Sequence, residues 1–158
     1  MSDLHIVPLS TGAYALVCER VRHEADGKKT FIGVSSGTFS LEKNQQEISF
    51  DLYVSLQILA SEHPKTMQVA VCRNDTIVAV PIKEHSIVYS KSNKSEKNTS
   101  DGVAVKIFEV DTSVEGLQFS DGDLLSVLVG LDDKSYVAAA MTVVAAKPFL
   151  NRAFPATL

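Results

Sequence analysis

The sequence predicts an all-β protein, specifically a two-sheet antiparallel β-sandwich of the Ig-like or C2-like kind with eight to nine strands. Three observations support this. Apolar and polar residues alternate along residues 48–58, as they do on a half-buried strand. Short segments of strand type recur along the chain between turn dipeptides such as Asp-Gly and Asn-Asp. No segment shows a convincing helical period.

Residues 48–58 are predicted to be the central strand. The even positions are all large and apolar: Ile48, Phe50, Leu52, Val54, Leu56 and Ile58. The odd positions are polar or amphipathic: Ser49, Asp51, Tyr53, Ser55 and Gln57. Since alternate side chains of a strand point to opposite faces, we expect one dry face and one wet face. A long one-faced strand needs a second layer to cover it, which favours a sandwich.

The N-terminal part contains four segments of strand type, of which the first could form a short edge strand and the last two continue one another across an interruption. They cover residues 4–9, 13–23, 30–34 and 38–41. Pro8 confines the first to a sheet edge, because proline cannot donate a ladder hydrogen bond. Asp26-Gly27 predicts a tight hairpin between the second and third. The Ser-Ser-Gly interruption at 35–37 indicates a bulge or a crossing between sheets.

The remaining strands follow the central one. They are predicted at residues 67–72, 76–80, 85–89, 103–110, 124–131 and 136–144. Pro81 is expected to end one of them. Residues 90–102 contain no large apolar side chain, so we expect a mobile loop there. The prediction is one domain over residues 1–147, followed by an extension over 148–158.

Composition excludes several classes of partner. The chain has 158 residues and a net charge of −4, which gives no attraction to nucleic acid or to an anionic membrane. It lacks tryptophan, which counts against a carbohydrate-binding platform. Neither a signal peptide nor a run of about 18 apolar residues is present, so we expect a cytoplasmic protein.

Catalytic motifs are missing from the sequence. It contains no Gly-rich phosphate loop, HExxH, GxSxG or CxxC, so neither an enzyme nor a cofactor is predicted. Cys18 and Cys72 lie in predicted strands and are expected to be buried, reduced thiols. A nucleophilic pair of Cys72 with His85 stays open as an alternative.

One charged set stands out near the N-terminus. Arg20, Arg22 and Glu24 would point to the same face of a single strand. The functional interpretation is a polar binding face. The alternative is a solvated sheet face with a weak cross-strand ion pair.

Carboxylates at the strand ends suggest a second type of site. If strands 103–110 and 124–131 pair, Asp111, Asp121 and Asp123 gather at one end of the sandwich. Asp132 and Asp133 would then lie at the other end. Such oxygens could begin a calcium site, although aspartates in turns need no metal to explain them.

The C-terminal extension is unusually apolar for a solvated tail. Its large side chains include Phe149, Leu150 and Phe154, and two prolines argue against a regular helix or central strand. We expect it to lie extended in a groove of its own molecule or of a neighbour, with Phe149, Leu150 and Phe154 as assembly contacts. Because an open sandwich also leaves edge strands that need to be covered, a homodimer is favoured.

Residues 18–34 resemble the opening of an uncharacterised bacterial family of small predicted β-sandwich proteins. The matching residues are Arg22, Glu24, Gly27, Lys28 and Gly33, and residues 114–144 resemble the family as well. The resemblance implies the fold and a bacterial cytoplasmic origin, but no activity.

Two functions therefore remain open. The favoured one is a non-catalytic sandwich that binds a protein partner or assembles with itself. The alternative is a sandwich that binds a small ligand or calcium through acidic end loops.

Overall fold

The computed structural model describes residues 10–41, 47–88, 97–98 and 104–145, and these residues form strands and turns without a helix. Eleven strands lie in this part of the chain. They are β1 (Gly12–Cys18), β2 (Arg20–His23), β3 (Lys29–Ile32), β4 (Thr38–Leu41), β5 (Glu47–Leu59), β6 (Thr66–Arg73), β7 (Thr76–Ser86), β8 (Lys97–Asn98), β9 (Ala104–Gln118), β10 (Leu124–Leu131) and β11 (Lys134–Ala145). The predicted all-β class is confirmed.

The strands form three sheets rather than the predicted two. Sheet one has the order β1-β5-β9-β8, and all its pairs are antiparallel. Sheet two has the order β4-β11-β10-β6-β7, and its one parallel pair joins β4 to β11. The third sheet is the two-stranded hairpin β2-β3, called the covering hairpin below.

The predicted strand count is wrong because several boundaries differ. The segment predicted as one strand over 13–23 divides at Glu19 into β1 and β2. The predicted strand 76–80 continues through Pro81 into β7, which ends at Ser86 and so includes only the start of the strand predicted over 85–89. Because β7 is an edge strand with irregular register beside Pro81, the missing N–H of the proline breaks no required pairing. Lys97–Asn98 pairs with β9 inside the predicted loop.

Sheets one and two contribute side chains to one core. The even positions of β5 are all at most 2% exposed, as predicted from their period. They pack in one cluster with residues of β6, β10 and β11. These residues are Met67, Val69, Val71, Leu125, Val127, Val129, Leu131, Met141 and Val143. Burial of these side chains removes a large apolar area from water, which is the main force that holds the sheets together.

The odd positions of β5 contradict the predicted wet face in part. Tyr53 and Ser55 are each only 5% exposed, whereas Ser49 is exposed. The covering hairpin accounts for the burial of Tyr53, because it folds over this part of the outer face of sheet one and places Phe31 against the Tyr53 ring. Ser55 instead lies between the larger side chains of Tyr14 and Glu109 on the neighbouring strands. Periodicity along one strand cannot show that a segment elsewhere in the chain covers it.

The backbone pairing is interrupted at Gly33, and this interruption lets the hairpin leave the edge of sheet one. The Ser35 N–H donates to the Val17 carbonyl oxygen at 2.9 Å, and the Glu19 N–H donates to that of Ile32 at 2.9 Å. Gly33 lies opposite Glu19 with a φ of 63°, a conformation that favours glycine. Backbone hydrogen bonds are therefore present on both sides of Gly33, and the chain changes direction at that residue.

Candidate binding face on sheet one

The outer face of sheet one, which points away from the core, carries four cross-strand rows of side chains. Strand β5 supplies the middle of each row, with β1 on one side and β9 on the other. The rows are Gly12–Gln57–Ile107, Tyr14–Ser55–Glu109, Leu16–Tyr53–Asp111 and Cys18–Asp51–Ser113. Neighbouring strands lie about 4.8 Å apart, so side chains in a row are close enough to interact.

The covering hairpin occupies the last two of these rows. Phe31 packs with its ring centroid 4.8 Å from that of Tyr53, at an interplanar angle of 58°. The backbone N–H of Val21 donates to the Asp51 carboxylate at 2.8 Å. Ser113 donates its hydroxyl to the other Asp51 oxygen at 2.7 Å. The hairpin is thus attached to β5 by an aromatic contact and by a shared carboxylate.

A second carboxylate, Asp111, fixes the turn end of the hairpin. Its Oδ2 lies 2.9 Å from His23 Nε2, and its Oδ1 lies 2.9 Å from Lys29 Nζ. Burial alone would raise the pKa of Asp111, but the hydrogen bonds and positive charge of Lys29 and His23 outweigh it and hold the pKa below its usual value. Asp111 is therefore ionised and paired at neutral pH.

Tyr53 lies at the centre of this face. Lys29 Nζ is 4.9 Å from its ring centroid, within cation–π range. Burial raises the pKa of Tyr53, and interaction with the Glu109 carboxylate and with Tyr14 raises it further. The phenol therefore keeps its proton and is a hydrogen-bond donor at every physiological pH.

The first two rows stay uncovered by the hairpin and form a cleft of about 420 Å³, called the open cleft below. Its lining residues come from β1, β5, β9 and the segment just before β1. They are Ser10, Gly12, Ala13, Tyr14, Ser55, Gln57, Ile107 and Glu109. Tyr14 is 53% exposed, and Glu109 is the only charged residue in the part of this lining that the structure describes. The small side chain of Ser55 between Tyr14 and Glu109 leaves the space.

The predicted polar set is exposed on the covering hairpin and the turn that follows β2. Arg20 and Arg22 are exposed in β2, whereas Val21 and His23 face sheet one. Glu24 follows the end of β2 in the turn, where its backbone pairs with Lys28. Within the described residues these three side chains form no salt bridge, so the expected cross-strand ion pair is absent. All three residues are exposed, and Arg20 lines a polar cleft of about 300 Å³ together with Ser49 and Asp51, so the polar binding face stays a prediction.

The expected gathering of Asp111, Asp121 and Asp123 is wrong. It required β9 and β10 to pair, but these strands belong to different sheets. Asp111 lies opposite Tyr53 in the middle of β9. Asp121 accepts a hydrogen bond from the Ala145 N–H at 2.8 Å, and Asp123 accepts one from the Ser120 N–H at 2.8 Å.

The acidic turn at the other end of the sheets is also structural. Asp132 accepts hydrogen bonds from the backbone N–H groups of Lys65 and Thr66. These bonds, that of Thr66 first, lower the pKa of Asp132 despite some opposing desolvation. A polar cleft of about 250 Å³ lies beside this turn and is lined by Asp133 and by the ion pair of Lys134 with Glu62. In the described segments no three His, Cys, Asp or Glu side chains are grouped to hold a metal ion.

The cysteines are free and buried, as predicted. Burial raises the pKa of both thiols, so little thiolate is present at neutral pH. The alternative nucleophilic pair is not formed. On the β6–β7 ladder Cys72 lies opposite Ile77, whereas His85 lies opposite Met67. Five positions of strand separate the two, which is about 17 Å.

Sequence reasoning missed the residues that form this face, namely Lys29, Phe31, Tyr53 and Glu109. A signal was present in the covering hairpin, since Val21 and Phe31 are apolar on one of its faces. An apolar face on a two-stranded hairpin has to pack against another layer. The partner layer, however, was not identifiable from the chain itself.

The predicted assembly contacts Phe149, Leu150 and Phe154 lie outside the described residues, as do the predicted strand 4–9 and most of the predicted loop 90–102. In the part of the chain that is described, no helix has the length and apolar character needed to cross a membrane. Comparison with protein-family models and with curated proteins found no match to this chain. The resemblance to an uncharacterised bacterial family therefore stays a prediction.

Proposed function

We propose that this protein is a non-catalytic β-sandwich module that recognises a protein partner through the open cleft. The observation that carries the proposal is the contrast between the two halves of the outer face of sheet one. One half is sealed by the covering hairpin, with Asp51 and Asp111 fully engaged. The other half presents a half-exposed Tyr14 ring and a charged Glu109 around an open space.

This surface has the composition of a recognition site. Tyrosine provides a large apolar contact area and a polar tip at low entropic cost, and it is enriched at protein interfaces. The three strands beneath the open cleft are hydrogen-bonded to one another, so the side chains are held on a rigid frame. The protonated, buried thiols favour a binding role over nucleophilic catalysis.

A small ligand is the second candidate. Its support is the volume of the open cleft, about 420 Å³, which falls in the usual range of about 300–1,000 Å³ for small-molecule sites. Ser55 and Gln57 offer the hydrogen-bonding groups that would orient such a ligand.

Site-specific photo-crosslinking tests the protein-partner proposal. A photoreactive residue replaces Tyr14 in the open cleft, and a control replaces Val137, which is 65% exposed on sheet two. We expect position 14 to give one defined protein adduct in cells, identified by peptide mass spectrometry, and position 137 to give none. The adduct should disappear when Gln57→Arg fills the cleft in a protein with unchanged melting temperature.

The outcomes separate the candidates. An adduct with a second copy of the chain would support the self-assembling form of the proposal. No adduct at position 14, or the same adducts from both positions, would refute the protein-partner proposal. A metabolite that raises the melting temperature of the wild type but not that of Gln57→Arg would favour the small-ligand candidate instead.

A further inference from the structure

The rows of sheet one already contain a site for a lysine side chain. In the row of Tyr53 and Asp111, Lys29 Nζ lies 4.9 Å from the ring centroid and 2.9 Å from the carboxylate. The next row along the sheet again has a tyrosine and a carboxylate, Tyr14 and Glu109, on either side of Ser55. Residues two apart on a strand lie about 7 Å apart on the same face, so the two arrangements are neighbours.

Glu109 is only weakly neutralised by the cation next to it. Its Oε2 is 3.9 Å from Lys29 Nζ, which is beyond hydrogen-bonding distance, whereas Asp111 is at 2.9 Å. The Glu109 side chain is also 48% exposed, compared with 27% for Asp111. Glu109 also interacts with the Tyr53 hydroxyl, but this neutral donor leaves the charge of the carboxylate in place. Glu109 therefore provides a negative charge at the rim of a cleft whose other lining residues, among those that the structure describes, are all uncharged.

We infer that the open cleft receives the ammonium group of a lysine side chain on the partner protein. This inference rests on the proposed function and specifies the chemistry of the partner. The ammonium group would lie against Glu109, and Ser55 and Gln57, which line the same cleft, have a hydroxyl and an amide oxygen that can act as further acceptors. The carbon chain of the lysine would cover Ile107 and the ring of Tyr14.

Titration with a minimal lysine probe tests this. Nα-acetyl-lysine methylamide is added to the isotope-labelled full-length protein, and its neutral Nε-acetylated form serves as the matched probe. We expect the charged probe to shift the backbone amide signals of Tyr14, Ser55, Gln57 and Glu109, and the neutral probe to leave them in place. Raising the salt concentration should weaken the effect, because exposed charges are screened.

Variants connect the binding to the cleft. Glu109→Gln should lower the affinity for the charged probe by about three- to fivefold, as expected for the loss of one exposed ion pair. Glu115→Gln is the control, since Glu115 is an exposed carboxylate on the same strand but outside the open cleft. Tyr14→Leu keeps an apolar side chain at this position but removes the aromatic ring, so it should also lower the affinity for the charged probe.

Three results would overturn the inference. They are equal shifts by the neutral probe, no shift of the cleft amides by either probe, or equal weakening by Glu115→Gln and Glu109→Gln. None of them refutes the proposed function, which depends on the adduct at position 14. Conversely, lysine binding without such an adduct would refute the protein partner while leaving an ammonium site in place.

Discussion

Phe31 on the covering hairpin packs against Tyr53 on the central strand of sheet one, with ring centroids 4.8 Å apart and planes inclined at 58°. An isolated two-stranded hairpin is marginally stable in water, so this contact is a main reason that β2 and β3 stay folded on the sheet. Tilted aromatic pairs of this kind contribute about 0.5–1.5 kcal/mol beyond the area they bury.

The first prediction concerns this contact. Phe31→Ala should reduce the unfolding free energy by about 1–2 kcal/mol, because half-buried aromatic area is lost. The Val21 amide should exchange its hydrogen faster, whereas amides of β10 should not respond beyond the global loss of stability. Ile32→Ala, on the opposite face of the same strand, is the control. Equal effects of the two variants would mean that the hairpin does not depend on the ring contact.

The second prediction concerns Asp111 and pH. Its pKa is lowered in the folded protein, so it stabilises the native state above the unfolded-state pKa of about 3.9. That stabilisation is lost as the pH falls through the folded-state value. Asp111→Asn should therefore be less stable than the wild type by about 1 kcal/mol at pH 6, and the difference should shrink below about pH 4. Denaturant unfolding at several pH values measures this, and a gap that does not change with pH would contradict it.

The third prediction concerns the core. Phe50→Ala and Leu56→Ala should each cost about 2–5 kcal/mol, because both side chains are almost fully buried between the larger sheets. Glu47→Ala, at the exposed start of the same strand, should change stability by less than about 0.5 kcal/mol. A loss below about 0.5 kcal/mol for both core variants would show that β5 does not pack as described.

The fourth prediction concerns the thiols. Cys18 and Cys72 should react with a thiol reagent only after denaturation, because both are buried and burial raises their pKa. The measurement is the rate of labelling by mass spectrometry, with and without denaturant. Rapid labelling of native Cys72 would restore the hypothesis of a nucleophilic cysteine.

The fifth prediction concerns Gly33. Its φ of 63° is unfavourable for alanine, and an added Cβ would contact the side chain of Glu19. Since the exposed Glu19 side chain can move away, most of the cost is backbone strain of about 1–2 kcal/mol. Gly12→Ala is the matched control, because Gly12 has no positive φ and no atom within 4 Å of an added Cβ. Equal stability of the two variants would contradict this explanation.

The sequence by itself determined the all-β class and the buried face of the central strand. The alternation of Ile48 to Ile58 requires only that a strand turns alternate side chains to opposite sides, which is a local property. Burial of Cys18 and Cys72 followed from the same reasoning. The Asp26-Gly27 turn was also local, because positive φ at Gly27 suits a tight hairpin.

Only the tertiary structure decided which strands became neighbours and which polar faces were covered. Asp111, Asp121 and Asp123 were expected together because β9 and β10 are close in sequence, yet the two strands belong to different sheets. Tyr53 was expected to face water, yet Phe31 and Lys29 cover it. Long-range pairing depends on how whole surfaces fit together, and residues more than about 20 positions apart carry no local signal of that fit.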